Sequence, residues 1–201
     1  SIELKNNKQS IKYSVNNLEN ISLEFYNLKV EIDKIDNILY PKSGYLLEYY
    51  YENSSLNNYE IQKISFDKYT SILDRSSIRL YGDYLYSNDV LPQYKNINYF
   101  KPDRMLSFGE YKLYSSNLIN YGIEFNYTYK NSQTFRFILN SINNVEFPIN
   151  DFERNNLKSI GLGLRVKSIF GPINFLWTKS NKDLITDNYI ENYYFSIGID
   201  Y

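Results

Sequence analysis

Along most of this chain, apolar and polar residues alternate one for one, the period that sends successive side chains to opposite faces of an extended strand. Between residues 118 and 130, Ile119, Tyr121, Ile123, Phe125, Tyr127 and Tyr129 share one face, while Asn120, Gly122, Glu124, Asn126 and Thr128 share the other. A helix would scatter both sets around its axis. The same alternation sets Ile160, Leu162, Leu164 and Val166 against Gly161, Gly163, Arg165 and Lys167, and Ile173, Phe175 and Trp177 against Asn174 and Thr178. Near the end of the chain Tyr193, Phe195, Ile197, Ile199 and Tyr201 oppose Tyr194, Ser196, Gly198 and Asp200. Earlier segments are less regular. Residues 20–33 change phase between Phe25 and Leu28, which a β-bulge would explain, and residues 58–72 mix faces.

The pattern predicts ten strands, at 9–15, 20–33, 43–52, 58–72, 76–88, 116–130, 133–143, 157–168, 171–180 and 190–201. Most meet or exceed the roughly 9–11 residues that a tilted strand needs to cross a bilayer. From residue 73 onward the connections alternate: short at 73–75, long at 89–115, short at 131–132, long at 144–156, short at Phe170 and long at 181–189. Membrane barrels have short turns on the periplasmic side and longer loops outside, so both ends of this segment would lie on the periplasmic side. A one-faced strand equally suits a soluble barrel or sandwich, and the character of the faces decides between them. Asn, Glu, Gly, Arg, Lys and Thr on the polar face suit a wet lumen, and Tyr and Phe near the strand ends of the apolar face suit interfacial girdles. The expected fold class is therefore all-β, an antiparallel transmembrane β-barrel forming one domain over residues 1–201, with a soluble sandwich as the alternative.

Composition changes this picture little. The 22 basic and 23 acidic residues are interspersed and give a formal charge of -1, so there is no electrostatic footprint for nucleic acid. Cysteine is absent, which rules out disulfides and thiolate metal sites. No stretch approaches the roughly 20 apolar residues of a spanning helix. Residues 1–8 lack the charged-then-apolar pattern of a signal peptide, and a start in mid-pattern points to a processed chain or a fragment of a longer one.

Four segments carry recognisable chemistry. Residues 28–52 hold a strand, then Asp33, Asp36 and Asn37, the pair Tyr40-Pro41, and Ser43-Gly44 opening the next strand. Asp and Asn bond their own backbone while Pro and Gly set turn geometry, so this is turn chemistry first. The long connection contains Leu91-Pro92-Gln93-Tyr94, Phe100 and then Met105, Leu106, Ser107, Phe108, Gly109, Glu110 and Tyr111. Residues 157–180 hold a G-x-G-x-R strand, a tight Gly171-Pro172 turn and a following strand. The chain ends on the aromatic alternation from Tyr193 to Tyr201.

In this order, over about residues 28–201, the segments resemble the bacterial surface antigen superfamily, whose outer-membrane barrels assemble outer-membrane proteins or secrete polypeptides. In that superfamily the long loop folds into the lumen and carries a glycine pair and an Arg-Gly-aromatic tip. Here Lys101, Pro102 and Asp103 stand at the glycine pair and Ser107 at the arginine. This departure makes the chain most similar to the C-terminal barrel of patatin-like phospholipase autotransporters, type V subclass d, where a Leu-Ser-Gly-aromatic tip is similar to residues 106–109.

The resemblance implies the last ten strands of a sixteen-stranded outer-membrane barrel that secretes or displays an upstream passenger. Its partners would be the outer-membrane bilayer, the passenger polypeptide, and the barrel-assembly machinery reading the terminal strand of Tyr193, Phe195, Ile197, Ile199 and Tyr201. The in-folded tip would be Leu106, Ser107, Phe108, Gly109 and Tyr111, with a flexible surface loop as the alternative. Gly161 and Gly163 would leave it room in the lumen. Arg165 is either a partner for Glu110 or a solvated lumen charge. Rival readings are an outer-membrane assembly barrel, a structural or adhesive surface barrel, and a soluble all-β binding module.

Catalytic chemistry is not expected. The chain has no histidine, which removes Ser-His-Asp hydrolysis and ordinary zinc or haem ligation. No nucleophile elbow, P-loop or dinucleotide fingerprint is present, so any lipase function would belong to an upstream domain. No cofactor or metal is expected either. Asp33 and Asp36 read as a solvated turn rather than a cation site, since no third carboxylate lies nearby.

Overall fold

A computed structural model describes residues 2–15, 17–37, 41–54, 59–88, 117–130, 132–145, 155–182 and 189–198. They form one all-β sheet of ten antiparallel strands in sequence order. The strands are β1 (Ile2–Val15), β2 (Asn17–Asp33), β3 (Gly44–Ser54), β4 (Tyr59–Leu73), β5 (Ser76–Ser87), β6 (Asn117–Tyr129), β7 (Gln133–Val145), β8 (Asn155–Ser168), β9 (Gly171–Lys182) and β10 (Tyr189–Ile197). The sheet is open. Among the described residues β1 pairs only with β2, and β10 only with β9.

All ten predicted strands are present, and the boundaries that moved did so for identifiable reasons. β1 begins at Ile2 rather than residue 9, because its ladder with β2 runs unbroken from Ile2↔Val30 to Val15↔Asn17. The bulge expected between Phe25 and Leu28 is absent, since β2 pairs with both neighbours in continuous register through this region. In continuous register the apolar positions Ile21, Leu23 and Phe25 share one phase with the polar positions Asn27, Lys29 and Glu31, and Phe25 is buried while Tyr26 next to it points out. Mixed faces in β4 arise similarly, because Tyr59 and Ile61 are buried beside Ser65 and Asp67. The described final strand ends at Ile197, where Gly198 leaves the ladder with a positive φ of 100°, and residues 199–201 lie outside the described residues.

The two faces have opposite character to those of a water-soluble sheet. Ile119, Tyr121, Ile123, Phe125, Tyr127 and Tyr129 are all exposed, Phe125 by 41%, and so are Phe135, Phe137, Leu139, Ile160, Leu162, Phe175, Tyr193, Phe195 and Ile197. The alternate positions, Asp67, Arg79, Asp83, Asn120, Glu124, Asn126, Arg136, Asn140, Asn174 and Thr178, are buried. Burial follows the period-two pattern, with its usual polarity reversed.

At one end the strands join by short turns, two residues between β4 and β5 and two between β8 and β9. Backbone hydrogen bonds link neighbouring hairpins there: Thr128 N–H to the Arg75 carbonyl (2.7 Å), Lys167 N–H to that of Ser132 (2.8 Å) and Gly198 N–H to that of Pro172 (2.9 Å). The expected turn at Gly171-Pro172 lies at this end, opening β9.

Candidate functional site

The buried polar face is the chemically distinctive surface of the molecule. In one layer of it, four adjacent strands each contribute a charged side chain: Asp67 from β4, Arg79 from β5, Glu124 from β6 and Arg136 from β7. Arg79 stands directly opposite Glu124, and Asp67 and Arg136 sit one diagonal step to either side. Arg79 Nε donates to Asp67 Oδ1 (2.7 Å) and its Nη1 to Glu124 Oε2 (3.1 Å). Arg136 grips the same carboxylate with two bonds, Nε to Oε1 (2.7 Å) and Nη2 to Oε2 (3.1 Å), the bidentate fork that guanidinium makes with carboxylate. Arg79 also lies over the rings of Tyr81 (4.8 Å) and Tyr69 (5.7 Å). Charges this deeply buried are tolerable only when paired and hydrogen-bonded, and each of these four is.

Period two stacks further layers above this one. Two residues along each strand from the ionic layer come Tyr81 on β5, Gly122 on β6 and Ile138 on β7, and Tyr81 and Ile138 join Leu176 in a small apolar cluster against which Tyr194 packs. Gly122 is required here by close approach: a Cβ at this position would lie 2.3 Å from the Tyr81 ring and 2.7 Å from the Leu139 carbonyl. Beyond lies an amide layer. Asn120 Nδ2 donates to Asp83 Oδ2 (2.9 Å), Asn140 Nδ2 to Asn120 Oδ1 (2.6 Å) and Ser159 Oγ to Asn140 Oδ1 (3.4 Å), carrying hydrogen bonds across β5 to β8. At β3, Glu52 accepts from the Tyr59 hydroxyl (2.7 Å) and from Tyr50.

Gly161 and Gly163 do lie on this face, as the alternation required, but the space over Gly163 is taken. Leu176 Cδ1 and Arg136 Cβ come within 3.2 and 3.4 Å of where its Cβ would be. Arg165 Nε donates to Asn174 Oδ1 (2.7 Å), and Asn174 Nδ2 passes the chain on to Ser196 Oγ (3.1 Å) on β10. Its expected partner Glu110 lies outside the described residues, as do Leu106, Ser107, Phe108, Gly109, Tyr111, Ile199 and Tyr201. Tyr193, Phe195 and Ile197 are present on β10 and exposed.

The described residues of the β2–β3 connection, 34–37 and 41–43, make the turn contacts that their chemistry implied, and residues 38–40 lie outside the described residues. Asp33 Oδ1 accepts from the Ile35 N–H (2.8 Å), and Asp36 accepts from the Lys42 N–H (3.0 Å) and the Ser43 hydroxyl (3.2 Å). Burial pushes the Asp36 carboxyl up. The backbone N–H groups of Lys42, Ser43 and Asn37 and the Ser43 hydroxyl outweigh it and hold the group below its ordinary range. Gly44 closes the turn at a φ of 110°, where a Cβ would lie 2.1 Å from the Lys34 carbonyl oxygen. Lys42 Nζ reaches the Asp74 carbonyl (3.0 Å) and Ser77 Oγ the Pro41 carbonyl (3.5 Å), tying this turn to the next hairpin.

No family model and no curated protein matches this chain.

Among the described residues no group of three or more His, Cys, Asp or Glu side chains is arranged to hold a metal ion, and the buried carboxylates are occupied as acceptors of guanidinium, amide and phenol donors. What the arrangement does is lock register across β4 to β8 and enclose matched charge. Sequence reading had placed Glu124 on the polar face but had not joined Asp67, Arg79 and Arg136 to it. The available signal was a charge of alternating sign at an inward position on each of four successive strands, Asp67, Arg79, Glu124 and Arg136, with Asp83 as a second inward charge on β5.

Proposed function

We propose that this chain spans the bacterial outer membrane as part of a β-barrel that secretes or displays an upstream passenger polypeptide. The observation that carries this reading is the reversed polarity of the sheet: aromatic and aliphatic residues exposed on one face, paired charges buried on the other. In water, exposing an unbroken face that includes Phe125, Phe137, Leu162 and Phe175 would forfeit about 1.5–3 kcal/mol per large side chain. In a bilayer the same face is solvated by lipid, and the polar face belongs to the lumen. From β4 onward short turns alternate with longer connections, which supports the same reading. The secretion or display role rests on the resemblance to patatin-like autotransporter barrels.

The test has two stages. Chain unfolded in urea is diluted into detergent or phospholipid vesicles and followed by gel electrophoresis with and without heating. A compact, heat-modifiable band that forms only with detergent or lipid is expected, and a folded, monodisperse β-protein in plain buffer would sink the proposal. Secretion is then read by expressing the chain with a reporter peptide fused upstream and an export signal. Protease added to intact cells should remove the reporter, whereas a reporter protected in the periplasm refutes the secretion role and leaves the membrane anchor standing.

A further inference from the structure

The enclosed face differs along the sheet in how far water reaches it. On β5 the inward residues Ser77, Arg79, Tyr81, Asp83, Leu85 and Ser87 follow one another at every second position, and each is only 3–4% exposed. On β7 the inward run from Thr134 through Arg136, Ile138 and Asn140 to Ile142 is at most 6% exposed. At about 3.3 Å per residue these runs extend roughly 25–35 Å along the strand, comparable with a hydrocarbon core of about 30 Å. β9 continues the burial with Asn174, Leu176, Thr178 and Ser180. The cover comes from the chain itself. At β2 and β3 it gives out: Glu31 and Glu48, on the paired row that leads to buried Ser65 of β4, keep 29% and 20% of their side chains exposed.

The contents of this space are those of a core. Tyr81 lies over Gly122 and Leu176 over Gly163, so each large side chain covers the strand beside its own. Asp67, Arg79, Glu124 and Arg136 match two acids with two bases in one bonded layer. On a solvated wall such pairing contributes little. In an interior without water it is what makes the charges tolerable.

We propose that β4 to β9 enclose a packed, water-excluding interior and not the wall of an aqueous channel, so that this chain anchors and displays a passenger rather than threading it along these strands. The proposal rests on the membrane reading above and chooses between its two roles. An extended polypeptide with its side chains is about 10 Å across, and it cannot pass where a water molecule does not reach. Barrels of about eight strands are filled by their own side chains, whereas about sixteen to eighteen strands leave an aqueous channel. The enclosed face has the first character, in contrast to the sixteen strands that the resemblance implies.

Because the chain contains no cysteine, single variants Ser65→Cys, Ser159→Cys and Thr178→Cys, which change side-chain size little, report on the interior in detergent micelles, where both ends of the sheet meet solvent. They lie on β4, β8 and β9, so one variant that fails to fold leaves two. Glu31→Cys on the same face and Asp74→Cys in the exposed β4–β5 turn are the references. A small charged methanethiosulfonate is expected to react about 100-fold or more slowly at the three interior thiols than at the references, because it must await local opening of the sheet. Interior rates within about tenfold of the references, a spread that local charge alone gives to exposed thiols, overturn the packed interior. If the heat-modifiable band is kept, that outcome leaves the membrane reading standing. Slow interior labelling in a chain that folds and stays monodisperse without detergent keeps the packed interior and overturns the membrane reading. The folded chain is also expected to leave planar bilayers non-conducting, and stepwise conductance overturns the proposal.

Discussion

Glu124 lies directly opposite Arg79 across the β5–β6 pair, 3.1 Å from its guanidinium, although 45 residues separate them along the chain. The same carboxylate accepts from Nε and Nη2 of Arg136 on the other side, so one acidic group is shared by two cations from neighbouring strands. Breaking such a pair is costly because the abandoned charges stay buried. Glu124→Ala is expected to destabilise the folded sheet by about 3–5 kcal/mol, measured by urea unfolding in detergent micelles. A loss below about 1 kcal/mol, typical of solvated surface pairs, would mean that water reaches this layer freely.

The assignment of faces makes a paired prediction at adjacent residues. Phe125→Arg puts a charge on the outward face and should cost about 2–4 kcal/mol near the bilayer midplane. Asn126 sits directly opposite Arg136 on the enclosed face, so an added cation there would meet a like charge, and Asn126→Asp is the appropriate comparison. It should cost less than about 1 kcal/mol, as opposite charges facing across strands attract. Equal losses from the two variants in vesicle refolding would contradict the facing.

Tyr81 rests over Gly122 with no room for a methyl group between them. Gly122→Ala should therefore cost about 1–3 kcal/mol through overpacking. In the Tyr81→Ala background the penalty should shrink but not vanish, because the Leu139 carbonyl still crowds the position. A double-mutant cycle on the urea midpoint provides the check, and additive losses would show that the ring and the glycine do not constrain each other.

Asp36 predicts how the turn behaves with pH. Its carboxyl is held below the ordinary range in the folded state, so the unfolded chain takes up a proton first as acid is added. The stabilisation it lends is complete above the ordinary aspartate value of about 3.9 and disappears as pH falls through the lower folded value. Amide resonances of Lys42 and Ser43 should titrate together with a midpoint below about 3.9, and Asp36→Asn should abolish the titration. A midpoint above that value would show that burial, not hydrogen bonding, dominates the group.

Alternation alone determined much of this protein: that it is all-β, that ten strands are present, and which residues share a face through β5 to β10. The reason is local. A strand's side chains reverse direction at every residue, so the partition of Ile123, Phe125 and Tyr127 from Glu124 and Asn126 is written in order along the chain. Turn chemistry was legible for the same reason, since Asp36, Ser43 and Gly44 act on backbone only a few residues away. Register across the long connections was not. Arg79 and Glu124 meet through a pairing that spans residues 88–116, and no local rule sets which residue of β6 stands opposite which residue of β5. Residues 20–33 misled the pattern because apolar positions that change phase along a strand of continuous register read, in one dimension, like a slipped strand. Only the tertiary structure decided that the charges of four strands form one network and that Tyr81 needs the glycine opposite it. Each of these depends on the stagger between strands, a property of pairs of strands that no single strand's sequence contains.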